Sequence, residues 1–116
     1  MTIQRFETGP RMSQAVVHGN TVYLAGQVAL NAAGKSVTDQ TRDILEMIDK
    51  LLAGAGSDKS KLLSAQIFLT DIATFNEMNK VWEAWVSPGN TPARATVEAK
   101  LAAPQYTVEI MVIAAR

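Results

Sequence analysis

The chain has 116 residues, 47% of them hydrophobic, with no break in composition, so it reads as a single domain over 1–116 that buries about two-thirds of its chain surface. Eleven basic residues balance eleven acidic ones, which leaves no net field to draw in nucleic acid or an anionic membrane. The lack of cysteine removes disulfides and thiolate chemistry, and the single histidine, His18, removes histidine-rich metal clusters.

Charged residues stand at the N-terminus where a signal peptide needs an apolar core, and no run approaches a membrane span, so the expected location is the cytosol. Ile3 to Phe6 suits a short first strand, followed by a turn at Gly9-Pro10. Ser13 to Val28 holds two β-rich runs joined at Gly19-Asn20, a pair that tolerates positive φ and predicts a hairpin setting Val17 against Val22 and Val16 against Tyr23. His18, at the shoulder of that turn, reads as solvated. Gly26 interrupts the second run and predicts a bulge or a close approach to the backbone, although most strand glycines have only a packing reason.

The first helix follows a turn at Asn31 to Lys35. Ser36 and Asp39 have capping-box spacing, and Ile44, Met47, Ile48, Leu51 and Leu52 recur with helical period until Gly54 or Gly56 ends the run. Leu62 to Thr70 predicts a strand. Asp71 then caps a second helix over Ile72 to Val86, whose stripe of Phe75, Met78, Trp82, Trp85 and Val86 reads as core against the sheet, with Asn79 at its border facing a cleft or solvent. Ser87-Pro88-Gly89-Asn90 breaks that helix.

Pro92 suits the start of a strand that begins near Ala93. Alternation puts Arg94, Thr96 and Glu98 on one face and the small apolar Ala95, Val97 and Ala99 on the other, the side expected to be buried. Arg94 reads either as an anchor for a small anion or as a surface arginine lying over its sheet. Tyr106 to Ala114 is an apolar core strand with Val108, Ile110 and Val112 on one face. Glu109, between Thr107 and Met111 on the other, is the anomaly, since burying a carboxylate is costly unless it is paired, protonated or beside water. A hairpin around Leu101 to Gln105 would put Arg94 opposite Val112 and Glu109 opposite Val97, so the two charged groups would meet most easily if a second subunit contributed one of them.

Three strands, a helix, a strand, a helix and two strands give an α+β sandwich: a mixed sheet of about six strands with both helices on one face. The strands are apolar on both sides, which predicts an obligate homo-oligomer covering the other face.

Several short motifs fall in order along the whole chain: Ser13-Gln14-Ala15, Gly26-Gln27, Phe68-Leu69-Thr70-Asp71, Pro92-Ala93-Arg94-Ala95-Thr96-Val97-Glu98 and Val108-Glu109-Ile110. In these the chain resembles the RidA/YjgF family of small enamine and imine deaminases. Met78-Asn79-Lys80 with Trp82 and Trp85, and Gly56 to Ser60, resemble its YoaB-like branch. The resemblance implies a chorismate-mutase-like fold and a homotrimer whose sheets pack into a central barrel, with sites in the clefts between subunits. It also implies hydrolysis of 2-aminoacrylate or its imine tautomer to a 2-oxo acid and ammonia without metal or cofactor. The family's carboxylate-binding arginine falls on Arg94, its water-positioning glutamate on Glu109 and its cleft asparagine on Asn79. The expected substrate-binding set is Arg94, Asn79, Thr96, Ala25, Gly26 and Met12. Three of these depart from the better-studied branch: Met12 replaces a tyrosine, Ala25 a serine and Thr96 a cysteine found in some members. The pocket rim is therefore less polar, and an imino acid larger or more apolar than 2-iminopropanoate is expected. The competing reading is a non-catalytic trimer that binds small carboxylates or acts as a chaperone-like holder on the same fold.

Overall fold

A computed structural model describes residues 1–116, with elements in the order β1 (Ile3–Phe6), β2 (Ala15–His18), β3 (Thr21–Leu24), β4 (Gln27–Val28), α1 (Val37–Gly54), β5 (Leu62–Leu69), α2 (Phe75–Trp85), β6 (Ala93–Glu98) and β7 (Val108–Ala115). The strands form one mixed sheet in the order β1-β2-β3-β7-β5-β6, with β4 also paired to β7. Every pairing is antiparallel except β5 with β6. No helix is long and apolar enough to cross a membrane.

Local signals set the element ends. The Ser36 side chain accepts from the Asp39 amide at 3.1 Å, and at the far end Ala55 caps α1 while Gly56 turns the chain with φ +81°. Gly19 takes φ +61° at the β2–β3 turn, and the strands pair Val17 with Val22 and Val16 with Tyr23 as the turn predicts. His18 is exposed. Asp71 caps a short 3-10 turn, Ile72–Thr74, through the Ala73 amide at 2.9 Å, and α2 begins only at Phe75. The expected start of the second helix thus moves by one turn, because Asp71 is placed to satisfy the tighter turn's donor.

Both helices lie on one face of the sheet. Ile44, Ile48 and Leu52 of α1 and Met78 and Trp82 of α2 are buried in one core with Ala65, Ile67 and Leu69 of β5 and Val108, Ile110 and Val112 of β7. The molecule is 21 Å thick along its shortest axis, room for one sheet and one helix layer at about 10 Å each. Val16, Tyr23, Val28, Phe68, Val97, Met111 and Ile113 occupy the other face, which no helix covers.

Two expectations for the last strands are overturned. β6 and β7 form no hairpin, because β5 lies between them and pairs parallel with β6. The lateral rows survive that insertion: Arg94, Ala65 and Val112 form one row, and Val97, Phe68 and Glu109 another. The faces of β6 are also reversed. Arg94, Thr96 and Glu98 stand in rows with the buried Ala65, Ile67 and Leu69 on the helix side, while Ala95 and Val97 look out from the uncovered face, Val97 being 47% exposed. β6 sits beyond the reach of α1 at the sheet edge, so its helix-side rows border α2 rather than lying under a closed core.

Gln40 joins α1 to the approach to β7. Its buried amide donates to the carbonyls of Lys35 and Gln105, both at 3.0 Å, and accepts from the Thr107 amide at 2.9 Å. Gln40→Leu keeps the volume and removes all three of these bonds, so it is expected to cost about 2–4 kcal/mol, read as a lowered urea midpoint with an unchanged slope.

Candidate functional site

The expected site residues form two groups. The first lies between β6 and α2. Arg94 Nη1 donates to Asn79 Oδ1 at 2.8 Å. The guanidinium carbon lies 5.5 Å from the Trp82 ring centroid and 5.7 Å from that of Phe75. Trp82 in turn rests against Trp85, with centroids 5.4 Å apart. Arg94 has no carboxylate within ion-pairing distance, the only ion pairs being Arg42–Asp39 and Lys50–Glu46 on α1. Thr96 is on the same face, and its hydroxyl is buried without a hydrogen-bond partner. Glu98, next along that face, accepts from the Ile72 amide at 3.0 Å and so ties the end of β6 to the 3-10 turn.

The second group lies where β4 meets β7. Five residues from Tyr23 to Gln27 oppose four from Ile113 to Ile110, so the strand bulges at Ala25-Gly26. The Glu109 side chain fills the space left there. A Cβ placed on Gly26 would overlap the carboxylate, with Cδ only 3.1 Å away. The glycine is thus explained by close approach: it leaves room for an acid. Glu109 itself is half-buried and has no hydrogen bond or ion pair to any group of the chain.

Two motif glutamines hold this second group. Gln27 Nε2 donates to Gln14 Oε1 at 2.8 Å and to the Ala25 carbonyl at 3.1 Å, and the Ala25 amide donates to the Gln14 carbonyl at 2.9 Å. The loop between β1 and β2 is thereby fastened to the bulge. Met12 lies on that loop, about half exposed, with its carbonyl accepting from the Gly9 amide at 2.8 Å.

Strand parity keeps the two groups apart in one chain. Arg94 belongs to a row on the helix side, and Glu109 to a row on the uncovered side. Asn79, expected at a cleft or in solvent, is half-buried and bonded to Arg94. Phe75 and Trp82, read from the sequence as core, are the floor under the guanidinium, and Phe75 is 36% exposed. The signal for this was present: Phe75, Asn79 and Trp82 share one helical stripe.

Comparison with known proteins follows the same outline. The family described as Endoribonuclease L-PSP matches residues 2–116. The chain is 47% identical over 114 residues to a RutC family protein of Haemophilus influenzae, covering 98% of each. It is 45% identical over 115 residues to RutC family protein YoaB of Escherichia coli, covering 99% of each. The fold is similar to the crystal structure of a YjgF-family member from Neisseria meningitidis, with TM-score 0.96 and 46% identity, over 100% of this chain and 96% of that one. With an unpaired arginine on one sheet face, an acid lodged against a glycine on the other and these relatives along its full length, the chain belongs to the YjgF/RidA family, also named RutC, in its YoaB-like branch.

Proposed function

We propose that this protein hydrolyses reactive 2-imino and enamine acids to 2-oxo acids and ammonia, without metal or cofactor, at clefts between the subunits of a homotrimer. The observation that carries the reading is the pair of unpartnered charges: a guanidinium whose only hydrogen bond is to a neutral amide, and a carboxylate with no partner at all. Ion pairs that serve only the fold are paired within it. These two groups are free for a ligand and for water.

An imine of a 2-oxo acid carries one permanent negative charge, which a guanidinium fork holds through two parallel hydrogen bonds. Glu109 then orients a water molecule and takes one of its protons as the oxygen attacks the C=N carbon. The pair of electrons from C=N moves to nitrogen, which is protonated, giving a carbinolamine. Transfer of the proton from the new hydroxyl to nitrogen and cleavage of the C–N bond release ammonia and leave the 2-oxo acid. Because Arg94 and Glu109 face opposite ways in one chain, a single site needs them from two chains, and the uncovered apolar face gives those chains a surface to share. Met12 and Ala25 near the bulge favour an apolar side chain on the substrate.

The family description names an endoribonuclease, but the balance of eleven cations against eleven anions offers no field for a phosphate backbone. A trimer that merely holds carboxylates is the main rival. It would gain nothing from a free acid at the bulge.

An imine-trapping assay tests the reading. An amino-acid oxidase supplies 2-imino acids, semicarbazide intercepts them, and the protein lowers the semicarbazone signal if it hydrolyses them first. Glu109→Gln is expected to lower kcat/KM by about 100-fold or more. Arg94→Lys, which keeps the charge and loses the fork, should raise KM by about tenfold. A wild type inert toward alanine-, methionine- and leucine-derived imines would leave only the carboxylate-binding role.

Mixing two inactive variants checks the division of the site. Arg94→Ala and Glu109→Gln, unfolded together and refolded at equal ratio, should recover activity in about a quarter of their sites, while each alone stays inactive. No recovery in mixed trimers would place both groups on one chain. Gly26→Ala should form the same oligomer by light scattering and lose kcat, since the added methyl displaces the carboxylate.

A further inference from the structure

We propose that one stripe of α2, formed by Phe75, Asn79 and Trp82, is a positioning cradle that decides which edge of the Arg94 fork meets a ligand. The inference rests on Arg94 being the carboxylate anchor and goes beyond it, because it assigns Asn79 and the two rings to the arginine rather than to the substrate. The three residues stand at i, i+4 and i+7, so they lie along one side of the helix. That side borders the helix-facing rows of β6, where Arg94 is the first charged residue.

Each member contributes differently. Both ring centroids are within the distance at which a guanidinium is attracted to an aromatic face. Trp82 is 5% exposed and belongs to the core, so it is the fixed wall. Phe75 is the outer one. Asn79 accepts from Nη1 with a neutral oxygen, which directs the fork without cancelling its charge. Nε and Nη2 make no hydrogen bond within the chain. They form the side edge of the guanidinium, two parallel donors of the spacing a carboxylate accepts. An arginine already held in this way surrenders little side-chain freedom when a ligand arrives, so part of the ordering cost falls on folding instead of binding.

The test uses the assembled protein with nitrogen-15 arginine and no ligand at first. The Arg94 Nε–H signal, assigned by its loss in Arg94→Lys, should show a ring-current shift and slow rotation about Nε–Cζ. Phe75→Leu should move the signal and weaken 2-oxobutanoate binding roughly fivefold, with KM raised and kcat kept. Phe75→Tyr should restore both. Asn79→Asp, nearly the same shape, should pair with the guanidinium and weaken binding by more than about tenfold, with the fold intact by circular dichroism. The cradle is overturned if Phe75→Leu leaves the Nε–H signal and the affinity at wild-type values, or if tyrosine fails to restore them. The two readings fail separately: these shifts in a protein that turns over no imine would sink the deaminase and keep the cradle, and turnover without them would do the reverse.

Discussion

The period-two alternation of the three strands β6, β5 and β7 constrains everything else about the candidate site. Arg94 pairs with Ala65, and Ala65 with Val112, so the arginine faces the helices. Glu109 pairs with Phe68, and Phe68 with Val97, so the acid faces away. No rotamer carries either side chain through a hydrogen-bonded sheet. A slip of one residue in the β5–β6 pairing would turn Arg94 to the uncovered face, away from Asn79 and its two rings. Register here fixes where the two charges face as firmly as it fixes packing.

The sequence was most legible where structure is local. The Ser36 cap, the Gly19-Asn20 hairpin with its register and the end of α1 at Gly54 all depend on residues close together in the chain. The faces of β7 were legible too, because Val108, Ile110 and Val112 are buried on both sides by neighbouring strands and above by helices. The order of strands was not. β5 enters between β6 and β7 from more than twenty residues upstream, and nothing within 93–115 records that a third strand fills the gap. The faces of β6 failed for a related reason: small apolar residues normally mark a buried side, yet on this strand they mark the side that no helix covers.

The candidate site was half legible. Arg94 and Glu109 stood out as charges in apolar strands, and Gly26 as a gap in one. The aromatic floor under Arg94 did not stand out, because Phe75 and Trp82 look the same in sequence whether they fill a core or support a cation. Gln14 and Gln27 likewise carry no outward sign of being bonded to each other. Their amides close the loop over the bulge, so these motif residues turn out to hold the frame, while the acid they frame comes from elsewhere in the chain.

The fit of Glu109 over Gly26 has a consequence for how such a protein changes over generations. The two positions are more than eighty residues apart in the chain, yet any side chain at the first evicts the acid at the second. A lineage that acquires even alanine at the glycine loses the reason to keep the acid, which is then free to drift. On the proposed hydrolysis, regaining the function afterwards requires both reversals, and neither is favoured without the other. The contact therefore works as an evolutionary ratchet, simple to leave and hard to re-enter, and a relative with a side chain at that position is expected to have also lost its acid.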